Sequence, residues 1–304
     1  MRGVVTQGTG GQWHVRLADG AVTIAALPGR VKHAGAVKLA VGDEVEVETD
    51  AGGGVSSIVE ILPRRSRLAR RSPGNAHQER IVVANVDQVL VVFAAARPEP
   101  NEKMLDRFLV IAGSNGLTAR VIINKVDLTS ERDARERFRT YEELGYPLHL
   151  TSAVTGAGLE ALRGILEGRV SALSGPSGVG KSSLLNAMYP GVNLRVGAIS
   201  DSVNKGRHTT VGAHMHPLPD GGFVVDTPGL REVGLWGIDS GDVDSCFPEL
   251  AAVLDGCRFG DCRHLAEPDC AVRAAVAEGR VSRSRYESYV KLREELAEAE
   301  RERR

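Results

Sequence analysis

Over its first 68 residues the chain repeats short runs in which apolar and polar positions alternate. Trp13-His-Val-Arg-Leu17, Ala21-Val-Thr-Ile24, Glu44-Val-Glu-Val-Glu48 and Ser57-Ile-Val-Glu-Ile61 carry this two-residue period, which is that of a strand with one buried face. Val4-Val5 adds a fifth apolar segment, and Asp19-Gly20 and the glycine-rich stretch 50–54 supply tight connections. Short strands without a long helix predict a small β-barrel over 1–68, for which the oligonucleotide-binding (OB) barrel is a reasonable choice. Another small β-domain used only for packing is the alternative. Ser72-Pro-Gly-Asn-Ala-His77 then breaks the pattern and reads as part of a linker over 69–80.

From Ile81 the period changes. Val89-Leu-Val-Val-Phe93 is an unbroken apolar run, the mark of a buried strand, and Lys103 to Gly113 has the spacing of an amphipathic helix. Ala119-Arg-Val-Ile-Ile123 is the next strand, Glu131 to Glu143 a helix, His149 to Thr151 a strand end, and Gly158 to Leu166 a helix. Arg169-Val-Ser-Ala-Leu173 follows as a strand. This alternation predicts a mainly parallel sheet with helices on both faces over 81–234, its ligand loops at the carboxyl ends of the strands. Beyond Leu230 the sheet pattern stops. Residues 235–304 hold a cysteine cluster, a helix around Cys270 to Glu278 and a long Arg/Glu-rich helix from near Ser284.

A length of 304 residues allows two or three domains. Lys and Arg number 38 against 39 Asp and Glu, so bulk charge gives no argument for nucleic acid, although Arg64-Arg-Ser-Arg67, Arg70-Arg71 and Arg80 concentrate positive charge locally. Four cysteines are few for a secreted disulfide scaffold. The start has no signal-peptide core, and the most apolar run, Val89 to Ala96, is too short to cross a bilayer. A cytoplasmic protein without membrane contact is expected.

The chemistry is concentrated in loops after the predicted strands. Gly175-Pro176-Ser177-Gly178-Val179-Gly180-Lys181-Ser182 reads as a phosphate-binding loop opening a helix. Its amides wrap phosphate, Lys181 neutralises developing charge, and Ser182 ligates magnesium. Asn124-Lys125-Val126-Asp127 follows the strand ending at Ile123 and reads as a guanine signature. Asp127 accepts from guanine N1 and its exocyclic amine, Asn124 fastens neighbouring loops, and Lys125 lies along the base. Thr151-Ser152-Ala153 is similar to the loop that meets guanine O6. In ordinary GTPases the phosphate loop precedes the guanine motif, whereas here it follows. The same pocket forms if its parts meet in space.

Asp226-Thr-Pro-Gly229 follows another strand; Asp226 suits an outer-sphere magnesium role and Gly229 a γ-phosphate contact. Gly206-Arg-His208-Thr209-Thr210 is a candidate first switch, with Thr209 or Thr210 completing the magnesium network. Leu230 stands where many GTPases carry a water-orienting glutamine. His208 or a bound partner must then assist, and a loop histidine without chemistry is the alternative. Cys257, Cys262, His264 and Cys270 offer three sulfurs and one imidazole, a set able to close a tetrahedral structural zinc site. Unmetallated core cysteines are the plainer reading. Cys246 is a spare that packing explains better than ligation.

In this order the motifs resemble the circularly permuted GTPases that depend on the small ribosomal subunit, the RsgA or YjeQ/YloQ family. The resemblance covers nearly the whole chain and includes Ala84-Asn-Val-Asp87. It implies an N-terminal OB-fold RNA-binding barrel, a central circularly permuted P-loop GTPase domain and a C-terminal zinc-containing helical domain. It also implies GTP binding by Asn124, Lys125, Asp127 and Gly175 through Ser183, and zinc binding by Cys257, Cys262, His264 and Cys270. His208 matches the histidine suspected of helping hydrolysis, while Val211 departs from a threonine usual in relatives. The family binds the 30S subunit through 16S rRNA, acts late in its maturation and hydrolyses GTP faster in its presence; monomeric action is the family expectation. A GTP-gated RNA-binding scaffold with little turnover is one alternative. A metabolic NTPase or small-molecule kinase is another, against which the guanine motif argues.

Overall fold

The computed structural model describes residues 1–29, 38–49, 55–72, 75–190, 213–226 and 238–302, with backbone alone for 70–72, 75–80 and 226. Five strands open the chain: β1 (Arg2–Thr9), β2 (Gln12–Leu17), β3 (Val22–Ala26), β4 (Glu44–Glu48) and β5 (Ser56–Ile61). They close a barrel in the order β1-β2-β3-β5-β4, with β4 pairing back onto β1 and β3 lying parallel to β5. The two-residue period decides what fills it. Val45 and Val47 of β4 turn inward to meet Val5, Val15, Ala25 and Ile58, while Glu44, Glu46 and Glu48, alternating with them, face outward. This is the OB-like barrel expected from the alternation.

An antiparallel ribbon follows, β6 (Arg67–Ser72) against β7 (Asn75–Ala84). Residues 69–80, expected as a linker, therefore lie largely in paired strand. The turn signal at Ser72–His77 falls at the closed end of this ribbon, where Ser72 pairs with Asn75. The ribbon's other end is fastened to the barrel. Ala84 N donates to Val41 O at 2.8 Å, and Asn85 Nδ2 donates to Gly42 O at 2.9 Å. Gly42 has φ +89°, and a Cβ there would lie 2.1 Å from the Ala84 carbonyl oxygen. Alongside, Arg64 grips the fully buried Asp43 through Nε at 2.6 Å and Nη2 at 2.7 Å.

The central sheet runs β10-β9-β8-β11-β13-β12, built from β8 (Gln88–Ala94), β9 (Thr118–Asn124), β10 (Leu148–Leu150), β11 (Val170–Ser174), β12 (His214–Pro217) and β13 (Phe223–Asp226). All neighbours are parallel except the edge pair β12–β13. Every residue of β8 is buried. Val89, Val91 and Phe93 face one layer with helix α1 (Glu102–Ser114) and Phe138 of helix α2 (Glu131–Glu143). Leu90, Val92 and Ala94 face the other, with helices α3 (Leu159–Leu166) and α4 (Lys181–Met188). Burial on both faces explains why the strand reads as a continuous apolar run.

After β13 the described chain becomes helical: a 3-10 turn at Val243–Cys246, then α5 (Pro248–Ala251), α6 (Ala271–Ala277) and α7 (Arg283–Arg301). This unit packs on α1. Arg285 of α7, 2% exposed, donates to Asp106 of α1 at 2.6 Å and to Glu249 of α5 at 2.7 Å, and lies 4.6 Å from the Phe247 ring centre. Arg107 and Glu295 add a two-pronged ion pair at 2.6 and 2.7 Å.

Candidate nucleotide pocket and metal centre

Strands β8, β9 and β10 step outward in one direction from the sheet centre, and β11 and β13 step in the other. The reversal lies between β8 and β11, and the crevice at their carboxyl ends is where a parallel sheet of this kind takes a ligand. Asn124 ends β9, Thr151 follows β10, and the loop from Gly175 follows β11, so the three sequence motifs arrive at one edge. Their reversed order in the chain is no obstacle, because β11 pairs directly with β8 and β8 with β9.

The contacts are specific. Asn124, 1% exposed, donates from Nδ2 to Val179 O at 2.8 Å and accepts from Ala153 N at 3.4 Å. It thereby ties the phosphate loop to the loop after β10. A Cβ on Gly180 would stand 2.4 Å from that same Nδ2, which explains the glycine before Lys181. Lys125 takes a left-handed backbone, φ 62°, and its Nζ donates to Gly178 O at 2.6 Å and Arg97 O at 2.5 Å. Asp127 remains exposed at the rim, with Oδ1 accepting from Ser152 Oγ at 2.5 Å. The same Ser152 oxygen accepts from Val154 N and Thr155 N, which fixes the loop carrying Ala153.

Lys181, 7% exposed, opens α4 and donates from Nζ to the carbonyls of Gly175 at 2.8 Å and Pro176 at 2.7 Å. Its ammonium thus lies against the curl of the loop. Pro176, Ser177, Gly178 and Val179 complete that curl, and Ser182 and Ser183 begin the helix whose positive end points at it. Asp226 closes β13 beside β11, with Leu173 and Asp226 in register, although its side chain lies outside the described residues. His208, Thr209, Thr210 and Gly229, together with Val211 and Leu230, also lie outside them. Sequence reasoning missed Arg97. Its contribution is a backbone carbonyl, and no residue-type signal marks that.

The second cluster lies in the helical unit. One ligand atom each from Cys257, Cys262, His264 and Cys270 falls within 4.8 Å of all the others, and Cys262, His264 and Cys270 are buried. His264 Nδ1 is 3.6 Å from Cys257 Sγ and 3.4 Å from Cys270 Sγ. A tetrahedron with metal–sulfur bonds of about 2.3 Å and a metal–nitrogen bond of about 2.0 Å has edges of roughly 3.5–3.8 Å. The donor set and its spacing therefore fit one four-coordinate ion of the zinc type. Burial, with Cys270 alongside, pushes the Cys262 thiol up to about 12. Slight burial also pushes the Glu267 carboxyl up, but the amides around it outweigh this and hold it at about 2. Those of Arg263, Leu265 and Ala266 donate to it at 2.9–3.0 Å, which shapes the loop between Cys262 and Cys270. Cys246 lies outside the cluster, facing Gly113 of α1. Among the described residues no helix is long and apolar enough to cross a membrane.

The family model described as "RsgA GTPase" matches residues 61–236. A protein of Gemmatimonas aurantiaca named small ribosomal subunit biogenesis GTPase RsgA is 62% identical over 297 residues, covering 97% of each chain. One of the same name from Moorella thermoacetica is 40% identical over 301 residues, covering 99% of each. Among solved structures, YjeQ from Thermotoga maritima superposes with a TM-score of 0.80 at 36% identity, covering 97% of this chain and 98% of that one. With the guanine loop and the phosphate loop joined in reversed order at one sheet edge, this chain belongs to the RsgA family of circularly permuted GTPases.

Proposed function

We propose that the protein binds GTP in the crevice between β8 and β11, hydrolyses it to GDP and phosphate, and acts in late maturation of the 30S ribosomal subunit. The observation that carries this reading is the pair of contacts from Asn124 to Val179 and from Lys125 to Gly178, which builds a base-reading loop onto a phosphate-gripping one. In this reading Asp127 accepts from guanine N1 and its exocyclic amine, a pattern that adenine lacks. Ser152 orients that carboxylate, and the Ala153 amide, held at 3.4 Å by Asn124 Oδ1, turns to the carbonyl side of the base. The amides from Gly175 to Ser183 and the start of α4 surround the phosphates. Lys181 releases the Gly175 and Pro176 carbonyls to meet the β/γ-phosphates, where its charge counters the charge that grows during transfer.

Ser182, Asp226 and Thr209 or Thr210 would hold magnesium, which when bound shields the phosphate oxygens. Gly229 is assigned to the γ-phosphate, and His208, from its place in the sequence, to help with the attacking water. Cys257, Cys262, His264 and Cys270 would hold one structural zinc, which cross-links a small helical unit. The chain divides at 1–68, 81–234 and 235–304. The barrel and the helical unit flank the nucleotide unit and contact 16S rRNA, and the protein acts as a cytoplasmic monomer.

The test is steady-state phosphate release with and without 30S subunits, using 50S subunits and Lys181→Ala as controls. Stimulation confined to 30S and about 10²-fold, the lower end of what positioned acid–base groups supply, is expected, with Lys181→Ala inactive. Equal rates with and without 30S, in protein that still binds GTP, would overturn the reading.

A further inference from the structure

The four cysteine and histidine donors do not complete the metal centre. Asp244, 8% exposed, sits in the 3-10 turn Val243–Cys246, twenty positions before His264. Its Oδ2 lies 3.1 Å from His264 Nε2, and its Oδ1 accepts the Ser245 amide at 2.7 Å. The opposite ring nitrogen, Nδ1, faces the sulfurs of Cys257 and Cys270. The two nitrogens of one imidazole therefore have different surroundings: Nδ1 points into the sulfur cluster, and Nε2 points at a carboxylate.

The backbone of His264 is held as well. Its φ of +58° is left-handed, its carbonyl accepts from Tyr286 Oη at 2.6 Å, and the carbonyl of Arg263 accepts from Tyr289 Oη at 2.9 Å. Tyr289 also brings its ring to 5.9 Å from the imidazole centre. Main chain and ring are thus set separately, the main chain by α7 and the ring by Asp244. The turn that carries Asp244 packs against α1, since Cys246 Cβ is the nearest atom to the open side of Gly113.

We propose that Asp244 is a positioning residue of the metal centre. It accepts a hydrogen bond from His264 Nε2–H, selects the tautomer that ligates through Nδ1, and links the centre to the turn seated on α1. A carboxylate behind a ligating histidine fixes the orientation of the ring and strengthens its donor nitrogen, and losing such a partner weakens metal binding about 10–100-fold. Asp244 is not itself a ligand, because the ring stands between it and the sulfurs. No motif marks it along the chain, since it obeys no ligand spacing.

This inference rests on the zinc reading, so the experiment separates the two. Full-length protein is purified and its zinc content is measured by mass spectrometry. Wild-type protein that takes up no zinc overturns the zinc reading and this proposal with it. For zinc-loaded protein, a chelator competition gives the affinity of wild type, Asp244→Ala and Asp244→Asn. The alanine variant is expected to bind zinc about 10–100-fold more weakly. The asparagine variant, which keeps an acceptor oxygen in place, should recover much of that loss. Binding of a fluorescent GDP should be unchanged in both, because neither touches the nucleotide pocket. Wild-type affinity in Asp244→Ala would overturn the proposal. Should that variant not fold, histidine ¹⁵N correlation spectra of wild-type zinc protein decide the matter: a ligated Nδ1 with a protonated Nε2 supports the proposal, and a ligated Nε2 sinks it.

Discussion

Asp127 stands at the rim of the nucleotide pocket with one carboxylate oxygen held by Ser152 and the rest open to a base. Exposure is what its assigned task requires, since a carboxylate buried within the protein cannot read a ligand edge. Its neighbour Asn124 is buried and spends both ends of its amide on the protein, at Val179 and Ala153. Asn124 and Asp127, three positions apart in one motif, thus have different surroundings, which suits the first to construction and the second to the recognition proposed for it. Asp127→Asn replaces an acceptor with a donor opposite the guanine amine. Two charge-assisted hydrogen bonds of about 1.5–3 kcal/mol each are lost, so GTP should bind about 10²–10⁴-fold more weakly. Xanthosine triphosphate, with a carbonyl in place of that amine, should gain. Competition of both nucleotides against a fluorescent GDP measures the swap, and an unchanged preference for GTP would remove Asp127 from the base site. The motif residues were legible from sequence because type and spacing carry this chemistry. Arg97 and Asp244 were not, since a backbone carbonyl and a partner twenty residues away leave no pattern.

Among the elements, helices α1, α5 and α7 are joined by a buried charge cluster. Asp106 is 1% exposed, and Arg285 reaches both it and Glu249. Tyr141 of α2 donates to the same Asp106 at 2.8 Å, and its hydroxyl is pushed well above the usual phenol range, by burial first and then by that carboxylate. The cluster therefore runs from the helix after the guanine loop to the helical unit. Removing the cation leaves two buried carboxylates without a counter-charge. Arg285→Ala should cost about 3–5 kcal/mol, and Arg285→Met should also destabilise, since it likewise leaves both acids unpaired. Denaturant melts of the three proteins test this, and an Arg285→Ala midpoint equal to wild type would show that the cluster adds no stability. The helices were readable from their period: the expected Glu131–Glu143 coincides with α2. The edge strand β12 was not, because four residues between segments carry too little pattern.

For the whole molecule, what matters is how three units are held together. The helical unit rests on α1 through Arg285 and Arg107, and the barrel meets the end of the ribbon through Gly42 and Asn85, with Asp43 held by Arg64 alongside. At Gly42 the backbones approach so closely that any side chain meets the Ala84 carbonyl. Gly42→Ala adds this clash to about 1–3 kcal/mol of strain from the left-handed backbone. The barrel should loosen from the sheet, giving faster limited proteolysis between them and a lower melting temperature, with GDP affinity unchanged. Proteolysis at the wild-type rate would show that the joint tolerates a side chain. The expected linker over 69–80 takes the form of a paired ribbon, with the Ser72–His77 turn signal at its closed end, a pairing that depends on the partner strand and not on local composition.

Most of the elements and the candidate chemical parts could be read along the chain: the barrel strands, the main sheet strands and helices, the phosphate and guanine motifs, and a set of three cysteines and one histidine able to hold a metal. Each is a local matter, governed by backbone geometry and by residue types at short spacing. Tertiary structure alone decided that β11 inserts beside β8, which brings a loop at 175 onto a loop at 124. It also decided that Asp244 backs His264, that Asn85 hooks the barrel, and that Arg285 closes a charge cluster 179 positions from Asp106. Such contacts follow from how whole faces pack. No single stretch of chain encodes them, because their energy depends on burial and on partners that only the folded molecule brings together.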